Sequence, residues 1–257
     1  MILQELPSSS TMTATSYLSM SYPYLIQAQA GNMADPPAPW PPRFRPPPAI
    51  EQAVRRLRFS LMLAVEREYR VLLVQTWRAF DEPFSFGIAH SWSDPRHGTT
   101  LMPTQLTPAE VGAWGEWYDR LNAPEVDKID LALSRILRAV AERREPSDVL
   151  VDSVIAWENL FGTKEGEPTF RVTACLAKLL AQGTEARLAL RTKLARIYAL
   201  RSKVVHGSGM LRDEELPLCF EALEIAIRAV RILVTDRMDI LRLPDGAGRS
   251  AALLLEA

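Results

Sequence analysis

Few side chains in this 257-residue chain have the types that do chemistry. Histidine occurs at His90, His97 and His206, and cysteine at Cys175 and Cys219. Two cysteines in a mainly helical pattern make neither a disulfide framework nor a zinc ligand set, and Cys175 reads most simply as a small buried apolar residue. His90 and His97 stand near Asp94 and Arg96 in a turn-rich stretch. A His/Asp pair suits acid–base work, but no nucleophile accompanies it, and exposed loop residues are the plainer reading. His206 is different. It closes a segment in which Arg187, Arg191, Lys193, Arg196, Arg201 and Lys203 oppose a single acid, Glu185, a formal local charge of +5 in a chain of formal net charge −1.

A helical wheel gives that segment a direction. At ~100° per residue, Leu190, Leu194, Ile197, Leu200 and Val204 form one apolar stripe, and Arg201 falls in the middle of it. Arginine is not buried alone, so Arg201 must meet a carboxylate or an anion held in a cleft. On the helix that begins near Ser147, the stripe Val151, Val154, Ile155 and Phe161 contains Glu158. Two opposite charges on inward faces predict a pair across a bundle. That pair reads either as purely structural or as Glu158 orienting Arg201 toward an anionic group, for which a planar guanidinium fork is suited. His206 follows Arg201 by five residues, about 140° around a continuing helix. Gly207 predicts that the helix ends there, so that a bend lets both groups serve one cleft. R-x-x-x-x-H alone is a weak signal.

The elements that must position these residues follow from periodicity and punctuation. Residues 1–49 open rich in Ser and Thr and end in a proline run from Pro36 to Pro48, which predicts a disordered, extended tail. Ala28-Gln29-Ala30 resembles a signal cleavage site, but no Lys or Arg precedes the weak apolar stretch, and a tail is the preferred reading. From Ile50 to about Ala79 the apolar spacing is helical. An aromatic, turn-rich stretch from Phe80 to Pro108 predicts a long loop with a short strand around Phe84 to Ala89. Thr107-Pro108-Ala109-Glu110 predicts a capping box opening a helix to about Leu121, where Trp114 and Trp117 suggest a packed face rather than a stacking platform for bases. Beyond Pro124 helices are expected near 125–144, 147–162, 167–182, 185–206 and 213–241, with Ser147 and Thr184 as N-caps and 243–257 as a C-terminal tail. The expected fold class is all-α: a C-terminal bundle of four to five helices over 124–242, preceded by a smaller, mostly helical region over 50–122.

Tyr198-Ala199-Leu200-Arg201-Ser202-Lys203-Val204-Val205-His206-Gly207 resembles the signature of HEPN domains, in particular the Apea-like HEPN group, in which Y-x-x-R-S-x-x-V-H-G closes a long helix. Leu131-Ala132-Leu133-Ser134-Arg135 resembles that group's first helix. The run from Asp148 through Asp152, Ile155-Ala156 and Glu158 to Leu160-Phe161 resembles its D-x-x-x-D-x-x-I-A-x-E-x-L-F segment, and Glu167-Pro168-Thr169-Phe170-Arg171 its third-helix start. Trp157 stands where an aliphatic residue is more usual, a matter of packing. The likeness covers about residues 125–242; the first 120 residues carry none. The resemblance implies a helical bundle that forms a homodimer and brings two R-x-x-x-x-H motifs to one cleft. It implies a metal-independent endoribonuclease, with no cofactor, in which the ribose 2′-hydroxyl attacks the adjacent phosphate to leave a 2′,3′-cyclic phosphate. His206 would be general acid or base, and Arg201 would stabilise charge on the phosphate, with Glu158 supporting it. Ser202 would contact a phosphate or cap backbone, and Arg187, Arg191, Arg196 and Lys203 would contact RNA. A role in defence or stress response, or a non-catalytic module binding RNA, nucleotide or a partner protein, are the associated readings.

Composition bounds these expectations. Charged residues make up 24% and hydrophobic ones 47%, as in ordinary folded proteins, which excludes wholesale disorder. Near-zero net charge argues against a globally basic coat protein for nucleic acid but not against a local basic patch. No run of ~18 apolar residues is present, so no membrane span is expected, and the chain reads as cytoplasmic. Asp148 and Asp152 share a helix face, but two carboxylates without further ligands suit a helix N-terminus better than a metal.

Overall fold

The structure is a computed structural model that describes residues 2–5, 16–19, 48–66, 76–80, 89–93, 105–163, 167–207 and 211–256. It divides into two compact units, residues Met1–Glu51 with Thr100–Gln105, and Gln52–Thr99 with Leu106–Ala257. In the first unit, β1 (Ile2–Glu5) pairs antiparallel with β2 (Ser16–Ser19), Leu3 opposite Leu18. The tail expected over 1–49 otherwise lies outside the described residues, apart from the opening of α1 (Pro48–Ala64).

The second unit is all-α in class. Its helix α1 stops at Ala64, not near Ala79 as the apolar spacing predicts. Thr76–Phe80 is instead β3, antiparallel to β4 (Ala89–Ser93) with Trp77 opposite Trp92. A threonine and two aromatics in five residues suit a pleated ribbon better than a helix, where their side chains crowd the preceding turn. β4 also overlaps the end of the strand expected at Phe84 to Ala89, whose earlier residues lie outside those described.

α2 (Pro108–Leu121) starts as its capping box predicts. Thr107 Oγ1 accepts the Glu110 N–H at 3.2 Å, and Glu110 Oε2 accepts the Thr107 N–H at 2.8 Å. The Trp114 indole N–H donates to Leu57 O at 3.0 Å and to Ser60 Oγ at 2.9 Å, which ties α2 to α1. Trp117 packs partly buried under Arg120 and Arg231, whose guanidinium carbons lie 5.4 and 5.2 Å from the ring centre. Both tryptophans are therefore packing residues here.

A 3-10 turn over Pro124–Ile129 leads into α3 (Asp130–Ala141), α4 (Pro146–Phe161), α5 (Pro168–Leu180), α6 (Thr184–Val205) and α7 (Leu216–Thr235), then the short α8 (Met238–Leu241) and α9 (Gly246–Leu255). Helix α4 is the centre: it packs against α3, α5, α6, α7 and α9. Val149, Leu150, Val154, Trp157, Leu160 and Phe161 are buried along it, and the Trp157 indole N–H donates to Ala222 O on α7 at 3.2 Å. Trp157 thus fills the α4–α7 seam, and truncating it to alanine costs roughly 3–5 kcal/mol.

Three expectations need correction. Ser147 does not cap α4, because Pro146 takes the first helical position and leaves Glu145 as cap. Thr184 is already helical, with Gly183 before it as N-cap. Residues 243–257 are not a tail: Asp245 caps α9 by accepting the Gly248 N–H at 2.8 Å, and Leu253 is buried. Arg249 reaches from α9, 1% exposed, and donates to Leu160 O and Asn159 O at 2.8 Å each. It satisfies carbonyls that the end of α4 leaves without intrahelical partners.

Candidate functional site

The site is built on α6 and the last turns of α4. Only Leu194, Ile197 and Leu200 of the 22-residue α6 are buried, so the helix lies on the surface of the bundle. Arg201 is inward, its side chain 23% exposed, and its Nη2 lies 3.6 Å from Glu158 Oε2 on α4. Glu158 Oε1 accepts the Tyr198 O–H, so one carboxylate is shared between a phenol and a guanidinium three residues apart on α6. Burial first, then the Glu158 bond and charge, push the Tyr198 phenol up to about 12, which keeps it a hydrogen-bond donor. Arg201 Nε is buried without a partner among the described residues. The guanidinium therefore has one long ion pair and a buried, unpaired Nε–H, while its side chain stays partly exposed, so it is not saturated by Glu158.

His206 is the exposed C-cap residue of α6. Its N–H still bonds Ser202 O at 3.0 Å, so helical placement persists to the histidine. The bend comes one residue later, at Gly207, whose φ of +64° is open to glycine at little cost. The bend therefore follows His206, and five residues of helix separate its Cα–Cβ direction from that of Arg201 by about 140°. Ser202 is partly buried beside them.

The basic residues are split between two flanks. Arg187 Nε donates to Ala181 O at 3.1 Å, and the Arg191 guanidinium lies 4.5 Å over the Phe170 ring of α5. On the other side Lys193 pairs with Glu221 at 2.6 Å and Lys203 with Glu215 at 3.1 Å, both toward the α7 end of the bundle. Arg196 is exposed. The Glu215 carboxyl is held down at about 2 by the Arg212 N–H, the Arg212 side chain and Lys203. Tyr198, Arg212 and Glu215 have roles that sequence reading misses. Tyr198 had a signal, three residues before Arg201; Glu215 had only its position three residues after Arg212.

Elsewhere, Asp148 pairs with Arg143 at 3.6 Å and Asp152 with Arg135 and Arg143, so neither is spare. Burial raises the Cys175 thiol to about 12 and the Cys219 thiol to about 11. The His90 side chain and the whole of His97 lie outside the described residues. Among the described residues no three His, Cys, Asp or Glu side chains are grouped to hold a metal ion, and no helix is long and apolar enough to cross a membrane.

Compared with protein-family models, with curated proteins and with solved structures, the chain matches none. The resemblance to HEPN domains therefore rests on the residues quoted above.

Proposed function

We propose that the protein is a HEPN-type, metal-independent endoribonuclease. The observation that carries this reading is Arg201, inward yet unsaturated, held by a Glu158 that Tyr198 also grips. In this reading the phosphate of the scissile bond meets Arg201, whose spare donors take up charge as the phosphorus becomes pentacoordinate. The 2′-hydroxyl oxygen bonds to phosphorus and the P–O5′ bond breaks. His206 acts as general acid or base, either taking the 2′ proton or delivering one to the departing 5′ oxygen. The products are a 2′,3′-cyclic phosphate and a 5′-hydroxyl. Because Arg201 and His206 diverge on one α6, the active form is a homodimer whose two motifs face one cleft. Cytoplasmic RNA, in defence or stress response, is the associated setting.

The divergence also favours a second reading, a non-catalytic module that binds RNA, nucleotide or a partner protein. One experiment separates the two. Purified protein incubated with total RNA in EDTA should leave 2′,3′-cyclic ends, and His206→Ala should lose about 10²–10⁴-fold in rate. Equal cleavage by both proteins, or cleavage by neither, removes the catalytic reading. Light scattering should report a dimer; a strict monomer counts against the shared cleft.

A further inference from the structure

Arg196, Ala199, Lys203 and His206 follow one another at steps of three, four and three, so they share one flank of α6. On that flank a cleft of about 230 Å³ opens between α6 and the start of α7, lined by Arg196, Ala199, Leu200, Lys203, Arg212, Glu215 and Leu218. Alanine at 199 leaves room between two cationic side chains. Three cations line the cleft against one acid. Glu215 is already engaged: Oε2 accepts the Arg212 N–H at 2.8 Å and lies 3.1 Å from Lys203 Nζ, while Oε1 takes Arg212 Nη2 at 3.2 Å. It holds Lys203 and Arg212 on the rim. Glu214 takes Arg212 Nη1 at 2.8 Å. Arg196 makes no hydrogen bond or ion pair among the described residues and can turn its fork to a ligand.

We propose that this cleft seats a backbone phosphate of the RNA strand, a few nucleotides from the scissile bond, with Arg196 as the principal contact. The proposal rests on the ribonuclease reading and extends it by giving the strand a path along α6 to His206. Arg196 lies ~15 Å along the helix axis from His206, on the order of four stacked nucleotides. The histidine is then approached from its own flank, and the scissile phosphate is left to the arginine that the dimer brings to the same cleft.

Fluorescence anisotropy of the full-length protein with a 2′-O-methyl oligonucleotide tests this, since that strand lacks the attacking hydroxyl and reports binding alone. Arg196→Gln should weaken binding about 3- to 10-fold and reduce the slope of log K against log salt by about 0.7. Arg196→Lys should recover part of the affinity, while Arg228→Gln, an exposed cation on α7, should change neither. Affinity and slope unchanged in Arg196→Gln, an equal loss in Arg228→Gln, or no binding by the wild-type protein would each overturn the cleft. Cleavage is read separately. If His206→Ala cuts RNA like the wild type while Arg196→Gln loses affinity, the catalytic reading fails and the phosphate site stands.

Discussion

Asp152 and Glu158 lie six residues apart on α4, and both meet arginines, yet they are held in opposite ways. Asp152 is 1% exposed, its two oxygens meeting Arg135 at 2.8 Å and Arg143 at 2.6 Å. The Asp152 bond holds the Arg143 guanidinium above its ordinary value. Glu158 is 31% exposed, and its arginine stands off at 3.6 Å. A carboxylate saturated in a buried site staples α3 to α4 and has nothing left to exchange. A carboxylate with a phenol on one oxygen and a loose guanidinium on the other can yield its arginine to a phosphate without leaving a charge stranded. Closeness to arginine does not by itself distinguish the two acids; burial and the length of the ion pair do.

The largest expected effect is on the saturated member. Asp152→Ala takes the carboxylate from Arg135 and leaves Arg143 only Asp148 at 3.6 Å; it should cost about 3 kcal/mol of stability, read as a lower denaturation midpoint at unchanged m-value. Glu158→Gln should cost no more than ~1 kcal/mol but slow RNA cleavage about tenfold, because the amide keeps the Tyr198 bond and no longer orients Arg201. Equal stability losses in the two variants would break the comparison.

A third acid, Glu215, lies between these extremes. Its folded pKa of about 2 is depressed from the usual carboxylate value, so its contribution is present in full above about pH 4.5 and is lost as pH falls toward 2. Acid unfolding of Glu215→Gln should lack that limb while keeping the rest of the profile. The smallest effect is spectroscopic. Tyr198 should ionise at about 12, and Glu158→Gln should lower that value, since the amide keeps the bond but removes the negative charge that raises it. The stability linked to this phenol is present below its ordinary value near ~10 and lost as pH rises toward 12. A tyrosine titration identical in both proteins would show that Glu158 does not hold Tyr198.

Much of the bundle is legible in the sequence. The capping box at Thr107, the breaks at Pro146, Pro168 and Gly183, and the inward placement of Glu158 and Arg201 all follow from local rules, and these two side chains do meet. Where the structure departs from local periodicity, the cause is physical as well. The apolar spacing from Ile50 to about Ala79 is helical, yet α1 ends at Ala64 and Thr76–Phe80 is a strand, because short apolar runs fit either period. Residues 243–257 looked like a tail because Arg249 in an apolar helix has no carboxylate to announce its burial; its partners are backbone carbonyls of α4, which no side-chain pattern reveals.

By itself the sequence determined what lies around each helix axis: the angle between Arg201 and His206, the stripe from Arg196 to His206, the inward charge on α4. Periodicity encodes angles, and backbone geometry enforces them locally. Only the tertiary structure decided what lies across from each face. That Asp152 meets two arginines, that Tyr198 joins Glu158, that Glu215 draws Lys203 and Arg212 to one rim, and that the bend at Gly207 comes after His206 depend on distances between axes and on the conformation of single turns. Those are settled by how whole helices pack, where every contact shifts with its neighbours.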